Sequence, residues 1–193
     1  MEMKKSIITA ILLTVSLVAI SLAQTKKPAD ISTVIAAGTV DGSRYTNPYF
    51  KLTIDAPNAT LALNPLVSPV GARARLLQVQ SKQAEWNDRY TFAVLADTLT
   101  EYPQLQSPAQ YVRSVRHQLE KGGMPTLREE FQITIAGVGF TGAVLQEQVP
   151  SGQKYYRGLY TTFRSGYILS FDVEAPSEDK LNQVVSRLVR FMN

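Results

Sequence analysis

Four strand-like segments follow one another between residues 127 and 173, and no other part of the sequence limits the possible folds so strongly. They are rich in β-branched and aromatic residues, and short turn-forming stretches separate them. Because links of hairpin length leave no room for a crossover, consecutive strands must be antiparallel. The predicted strands span residues 127–135, 140–149, 155–163 and 167–173. Pro150-Ser151-Gly152 and Arg164-Ser165-Gly166 are typical hairpin turns.

Two amphipathic helices accompany these strands. The first is predicted to begin at Ser107-Pro108, because serine is a typical N-cap and proline is favoured in the first turn, and to end at Gly122-Gly123. The second begins at Ser177. Its apolar stripe consists of Leu181, Val184, Val185, Leu188 and Met192, and its outer face carries Lys180, Arg187 and Arg190.

Earlier in the chain, the apolar pattern predicts strands over residues 49–54, 76–81 and 90–95, whereas residues 58–75 predict a short helical or irregular connection. Helices that bury an apolar stripe on an antiparallel sheet form a layered α+β domain. The sequence therefore predicts an α+β fold with about six to seven antiparallel strands flanked by helices, an α/β/α sandwich. A single domain is expected over residues 38–193.

The N-terminus has the pattern of a secretory signal peptide. Lys4 and Lys5 precede an uncharged apolar run over residues 6–22, and Ser21-Leu22-Ala23 supplies the small residues of a cleavage site. We predict a signal peptide over residues 1–23 and a flexible lead-in over residues 24–37. The protein is then exported, periplasmic or secreted, without a membrane anchor after cleavage. An uncleaved anchor is the alternative, although the run is short for a membrane span.

Composition excludes several kinds of chemistry. The chain has no cysteine and only one histidine, so disulfides, thiol nucleophiles, thiolate metal sites and multi-histidine sites are absent. Removing Lys4, Lys5 and Glu2 with the signal peptide leaves 18 basic and 15 acidic residues of the 20 and 16 in the chain, a net charge of +3. This small, evenly spread charge does not indicate a nucleic-acid partner.

Two sequence motifs imitate catalytic patterns. Residues 137–142 match the dinucleotide-binding pattern G-x-G-x-x-G, but a strand-like run follows them where the binding motif requires a helix. Ser177-Glu178-Asp179-Lys180 matches S-x-x-K, but the S-x-N and K-T-G elements of penicillin-recognising enzymes are missing. We interpret the glycines as a hairpin turn and Ser177 as a helix cap.

Isolated polar and aromatic residues leave alternatives open. His117 is interpreted as a surface residue, with a general base or pH sensor as the alternative. Asp172 and Glu174 point to one side of a strand and are candidates for partner binding or for a hard cation. Tyr156 and Tyr160 share a strand face, which either binds a partner or forms the second buried face of a sandwich.

Two segments resemble the PsbP-like superfamily, which is named for a lumenal extrinsic protein of photosystem II and includes a yeast Ran-binding nuclear import factor. They are Gly42-x-x-Tyr45-x-Asn47-x-Tyr49-Phe50-x-Leu52-x-Ile54-x-Ala56-Pro57 and Tyr160-x-x-Phe163-Arg164-Ser165-Gly166-Tyr167-x-Leu169-x-Phe171. The resemblance implies an antiparallel sheet between helices and binding of a large partner without catalysis. One departure is that Asn58-Ala59-Thr60 follows Pro57 where the family often continues Pro-x-x-Trp.

These observations favour a non-catalytic, exported binding or accessory protein of the bacterial envelope that acts through contacts with an unknown protein. No catalytic residue, cofactor or metal is predicted. The first alternative is a carrier of a small apolar ligand held between sheet and helix. The second is a small hydrolase that uses carboxylates such as Asp172 and Glu174.

Overall fold

The computed structural model describes residues 30–63, 73–148 and 152–192. The predicted signal peptide lies outside these residues and stays a prediction. The strands are β1 Thr39–Asp41, β2 Arg44–Asn47, β3 Leu52–Asp55, β4 Ala59–Ala62, β5 Arg73–Ser81, β6 Thr91–Thr98, β7 Thr126–Ile135, β8 Val138–Gln148, β9 Lys154–Arg164, β10 Tyr167–Ala175 and β11 Val189–Phe191. The α-helices are α1 Ile31–Ala36, α2 Pro108–Lys121 and α3 Glu178–Leu188. Short 3-10 helices span Trp86–Asp88 and Leu99–Glu101.

Seven strands form one antiparallel sheet in the order β4-β5-β6-β10-β9-β8-β7. The strands β7 to β10 are the predicted meander, and each pairs with the next. The last strand of the meander, β10, also pairs with β6, so the sheet continues across the chain segment that contains α2. The predicted α+β sandwich class is confirmed.

A second sheet of four strands has the order β1-β2-β3-β11. The sequence pattern does not predict this sheet, because β1 and β2 are short and β11 directly follows a helix. The predicted apolar stripe of the last helix extends to Met192, but α3 ends at Leu188. Arg190 therefore lies on β11, not on the outer face of the helix, and Met192 follows the strand and is exposed.

The main core lies between one face of the seven-stranded sheet and the layer formed by α1, α3 and the four-stranded sheet. Alternation along β10 directs Leu169, Phe171 and Val173 into this core, and all three are fully buried. The apolar side of α3 covers the same face. Most residues of the resemblance motif near β2 and β3 are also buried there: Tyr45, Asn47, Phe50, Leu52, Ile54 and Ala56.

Part of the predicted flexible lead-in is helical. Ile31–Ala36 forms α1, with Asp30 as N-cap and with Ile31 and Val34 buried in the core. The side-chain amide of Asn47 donates a hydrogen bond to the carbonyl oxygen of Val34 at 3.0 Å. Two apolar residues three positions apart are too weak a pattern to predict this helix, which is stabilised by tertiary contacts.

Of the glycines at 137, 139 and 142, Gly137 lies in a hairpin turn, as predicted, whereas the other two lie on β8. Ile135 and Val138 are paired, and the two residues between them, Ala136 and Gly137, have positive φ angles of 47° and 83°. Positive φ at both central positions is the geometry of a type I′ turn, which matches the twist of antiparallel strands. The strand β8 follows this turn where a dinucleotide site has the N-terminus of a helix, so the loop lacks the phosphate-binding element.

The caps of α2 and α3 differ. The Ser177 hydroxyl accepts a hydrogen bond from the Lys180 backbone N–H at 3.1 Å, so its predicted capping role is confirmed. Ser107 precedes α2 in extended conformation, but its side chain makes no capping hydrogen bond. The sequence pattern predicts Lys180 on the solvent side of α3. Its side chain is instead largely buried, because its ammonium group pairs with Asp88 at 2.8 Å.

Candidate functional site

The second face of the seven-stranded sheet is polar and only partly covered. The helix α2 packs closely on it over β7, β8 and β9, and stands off from it over β6 and β10, where a cleft separates the helix from the sheet. Residues of the open part are half-buried and mostly polar, and they include Gln78, Thr91, Asp172 and Glu174. This polar sheet face therefore borders α2 on one side.

A cleft of about 190 Å³ lies between α2 and this face. Its roof is the side of α2 that carries Val112, Val115 and Leu119. Its floor is formed by residues of β6, β9 and β10, namely Leu95, Leu159, Thr161 and Ser170. The hydroxyls of Thr161 and Ser170 are 3.0 Å apart and hydrogen-bond to each other, so the floor combines two leucines with a pair of mutually bonded hydroxyls.

Arg73 lies at one end of the cleft and is held by two buried groups. Its Nε donates to Oδ1 of Asp97 at 2.7 Å, and its Nη2 donates to the Tyr111 hydroxyl at 2.6 Å. The Tyr111 hydroxyl in turn donates to the second oxygen of Asp97. The hydrogen bond with Asp97 raises the pKa of Arg73, and burial raises the pKa of Tyr111, so the arginine is charged and the phenol neutral.

The other end of the cleft is formed by Arg157 and Asp172, with the carboxylate of Glu174 beside them. Arg157 donates from Nε and Nη2 to both oxygens of Asp172, at 2.9 and 2.5 Å. Its Nη1 lies 3.9 Å from Glu174, which also accepts a hydrogen bond from the Thr91 hydroxyl at 3.1 Å. The hydrogen bond to Asp172 raises the pKa of Arg157. This end carries a net charge of −1.

An aromatic pair borders the acidic end of this face. Tyr155 lies two residues before Arg157 on β9, and its ring packs edge-on against Trp86 with the ring centroids 4.6 Å apart. Trp86 is held there by the short 3-10 helix, whose Asp88 is tied to Lys180 of α3. The loop between β5 and β6 therefore fixes an indole at the rim.

The C-terminal half of α2 is fastened to β7 by a buried ionic network. The guanidinium of Arg116 pairs with Glu120 at 2.7 Å and with Glu130 at 3.2 Å. Glu120 also accepts hydrogen bonds from Thr126 and His117, and together with Arg116 these lower the pKa of its carboxyl to about 2. The roof of the cleft is thus fixed at both ends of the helix, by Tyr111 and by this network.

The sheet separates the four residues predicted to bind a partner. Asp172 and Glu174 share one strand face, as predicted, and both belong to the acidic end of the cleft. Tyr156 and Tyr160 lie on the opposite, core-facing side. Tyr160 is fully buried between Gly142 and Gly158, where a β-carbon at either glycine would collide with the aromatic rings. Of the two alternatives predicted for this strand face, partner binding or burial, burial is therefore the correct one for Tyr160.

Tyr160 has an unusual polar atom for a core residue. Its hydroxyl is buried but has no hydrogen-bond partner among the described residues. Burial raises its pKa, so the phenol stays protonated. This position makes contact with an external partner impossible without rearrangement of the core.

The cluster of Arg73, Asp97 and Tyr111 has no counterpart in the predicted site residues. The three lie on β5, β6 and α2, and only the pairing of the strands and the docking of α2 bring them together. Alternation along β6 places Asp97 on the same face as Thr91 and Ala93, so the sequence does not mark it as buried. Its complete burial comes from these distant elements, and a buried carboxylate requires a partner.

The carboxylate of Asp172 and the imidazole of His117 are both engaged by neighbouring side chains. Both oxygens of Asp172 are engaged by Arg157, and His117 lies on the exposed side of α2, where its ring nitrogen contacts Glu120 at 2.8 Å. The described residues contain no group of three or more His, Cys, Asp or Glu side chains suited to hold a metal ion. None of the described helices has the length and hydrophobicity that a membrane span requires.

No protein-family model matches the chain, and no curated protein matches it. Among solved structures, a protein from Bacteroides thetaiotaomicron VPI-5482 is similar over 80% of this chain, with 11% identity and a TM-score of 0.46. This chain spans 50% of that protein's length. LpqN, which is involved in cell envelope biogenesis of Mycobacterium tuberculosis, is similar over 70% of this chain and 86% of its own, with 11% identity and a TM-score of 0.40. Neither likeness identifies a family or an activity, and the PsbP-like resemblance stays a prediction.

Proposed function

We propose that the protein is a non-catalytic binding protein that holds a small ligand in the cleft beneath α2. The observation that carries this proposal is the cleft itself, with mainly apolar side chains on its roof, two leucines and two hydroxyls on its floor, and charged groups only at its two ends. Ligand sites in proteins have this composition, in which an apolar lining provides affinity and a few polar groups provide orientation. With the predicted export signal, the ligand would be met outside the cytoplasm.

Two features support a small ligand over a protein partner. Large exposed apolar side chains among the described residues are few, and they lie far apart at Leu63, Leu127 and Met192. Leu63 follows β4 and Leu127 lies on β7, which are opposite edges of the sheet. Large contiguous apolar patches often mark protein-binding surfaces, and these three side chains do not form one. Tyr160, one of the aromatic residues predicted to contact a protein, is inaccessible.

A carboxylate-dependent hydrolase has less support from the geometry. A general acid or base needs an oxygen free to exchange a proton with the substrate. Asp172 lies in a two-pronged ion pair with Arg157, and Glu174 is hydrogen-bonded to Thr91. The Thr161 and Ser170 hydroxyls bond each other, and the single histidine of the chain lies on the exposed side of α2.

The test is occupation of the cleft by a neutral apolar probe. We expect 1-hexanol to cause saturable shifts of backbone amide signals at Val112, Val115 and Leu159, because these residues line the cleft. Val115→Phe should fill the cleft and abolish the shifts. The matched control is Ser114→Phe, one residue away on the exposed side of α2, which should leave them unchanged.

Thermal unfolding of both variants establishes that they fold. The proposal fails if hexanol produces no saturable shift at the cleft residues in the native protein. It also fails if Val115→Phe is folded and binds hexanol as well as Ser114→Phe does.

A further inference from the structure

We propose that the ligand is a small monoanion with an apolar body, such as a short-chain carboxylate, whose charged head group binds Arg73. This inference rests on the proposed function, since it assigns the chemistry of the molecule in the same cleft. It is carried by the arrangement of Arg73, by the apolar side chains in the middle of the cleft and by the additional negative charge at its far end.

Arg73 is a preorganised anchor. Its two hydrogen bonds go to Asp97, which is fully buried, and to Tyr111, of which only 6% is exposed. These partners fix the guanidinium plane before any ligand arrives, so little side-chain entropy is lost on binding. The arginine itself remains accessible, with 46% of its side chain exposed.

One edge of this guanidinium is available to a ligand. The described hydrogen bonds use Nε and Nη2, and no partner for Nη1 is found in the part of the chain that the structure describes. A guanidinium has five N–H donors in a planar fork, so the edge formed by Nη1 and the second hydrogen of Nη2 can donate to a carboxylate in a two-pronged contact. A ligand whose head group is an ammonium or a hydroxyl cannot make this two-pronged contact with the guanidinium.

The middle of the cleft requires an apolar ligand body. Val112, Val115 and Leu119 lie above it, and Leu95 and Leu159 lie below. A cavity of ~150 Å³ accommodates a molecule the size of benzene. The cleft volume of about 190 Å³ is therefore suited to an unbranched chain of about six carbons.

The far end of the cleft repels a second anionic group. The two ends of the cleft are about 13 Å apart along β6. Arg73 pairs with Asp97 on that strand, and Asp172 pairs with Ala93, four residues away. Each arginine is paired with one aspartate, but Nη1 of Arg157 also faces Glu174 at 3.9 Å, which adds a negative charge, whereas Nη1 of Arg73 has no partner among the described residues. A ligand with one anionic head therefore fits the cleft better than a dianion does.

The experiment compares three probes of equal length with the native protein: hexanoate, 1-hexanol and hexylammonium. Amide shifts of Val112 and Val115 report the affinity of each. Hexanoate is expected to bind about tenfold more tightly than hexanol, because a charged hydrogen-bonded contact is worth roughly that factor. Hexylammonium is expected to bind more weakly than hexanol.

Two variants locate the anchor. Arg73→Gln should remove the preference for hexanoate over hexanol while hexanol binding is kept. The matched control is Arg75→Gln, which removes the same charge two residues away on β5 at a residue that does not line the cleft, and it should keep the preference. Because Arg73→Gln leaves buried Asp97 without its cation, Arg73→Lys serves as the second variant, which keeps the charge but lacks the planar second edge. It should lose most of the preference.

The outcomes separate the two proposals. If hexanol binds in the cleft and hexanoate binds no more tightly, the anion assignment is overturned while the proposed function stands. If Arg75→Gln reduces the preference as much as Arg73→Gln or Arg73→Lys does, Arg73 is not the anchor. If none of the three probes binds, the proposed function fails first and this inference falls with it.

Discussion

The two faces of the seven-stranded sheet are built from the same strands but have opposite character. On β10 the residues facing the main core include Leu169, Phe171 and Val173, all fully buried. The alternate residues include Ser170 and Asp172, which face the cleft beneath α2. Because side chains alternate along a strand, one face can stabilise the fold while the other carries polar groups. A binding site on the second face can therefore change without loss of the core.

The largest predicted effect on the free energy of unfolding comes from replacing a leucine by alanine, once on each face of the sheet. Leu169→Ala removes a fully buried side chain from the main core and should lower the free energy of unfolding by about 3 kcal/mol or more. Leu95→Ala, on the floor of the cleft, removes a half-buried side chain and should cost about 1 kcal/mol. Denaturant unfolding with equal m-values measures both.

Equal destabilisation of these two variants would contradict the difference between the two faces. That result would mean that the cleft face contributes to stability as much as the core does, and that the cleft is closed by tight packing. A Leu95→Ala variant that also keeps hexanol binding would instead sharpen the distinction, because the site would tolerate a change that the core does not.

An intermediate effect is expected at the acidic end of the cleft. Asp172→Asn removes the anion that engages Arg157 through both oxygens, in a pair that is mostly buried, and should destabilise the protein by about 2 kcal/mol. Glu174→Gln, at a more exposed position 3.9 Å from Arg157, should cost less than about 1 kcal/mol. Thermal unfolding of the two variants at neutral pH tests this order. The reverse order would assign the main support of Arg157 to Glu174.

Smaller effects on the free energy of unfolding, opposite in sign to each other, are expected when two core tyrosines are replaced by phenylalanine. The Tyr160 hydroxyl has no described partner, so Tyr160→Phe should be neutral or stabilise the protein by up to about 1 kcal/mol. The Tyr45 hydroxyl accepts a hydrogen bond from Asn47 at 3.0 Å, so Tyr45→Phe should destabilise by about 1 kcal/mol. Chemical denaturation of the two variants measures both changes in the free energy of unfolding. A loss of stability in Tyr160→Phe would show that the Tyr160 hydroxyl has a hydrogen-bond partner in solution.

The smallest effect is a pH dependence of the contact between α2 and β7. The carboxyl of Glu120 has a pKa of about 2, below its ordinary value of 4.5, so the folded state favours the charged form. Its contribution to stability is complete above pH 4.5 and is lost as the pH falls towards 2. The difference in unfolding temperature between the native protein and Glu120→Gln should therefore shrink over this range. A constant difference would contradict the assigned hydrogen bonds.

Local signals in the sequence predict the elements with strong patterns. Pro108 and Gly122 mark the ends of α2, and the two-residue turn at Ser165-Gly166 joins β9 to β10 as expected. These predictions succeed because the deciding interactions lie within a few residues. The alternation of β10 likewise suffices to place Asp172 and Glu174 on one face of the strand.

The rest depends on contacts between distant parts of the chain. The helix α1 has only Ile31 and Val34 as buried residues, and it is stabilised by the core it covers. The candidate anchor requires Arg73, Asp97 and Tyr111 to meet from three separate elements. Neither spacing nor composition encodes such a meeting, so the cluster around Arg73 could not be predicted from the sequence.

The pairing of β11 with β3 has a consequence for the order of folding. Val189 pairs with Ile54, so the four-stranded sheet closes over one of the longest sequence separations in the molecule. Pairings between residues so distant form slowly, because the entropy of closing the intervening loop must be overcome first. During synthesis, β1, β2 and β3 cannot complete their sheet until residue 189 has been made. Final assembly of this layer is therefore a late event that joins the beginning of the described chain to its end.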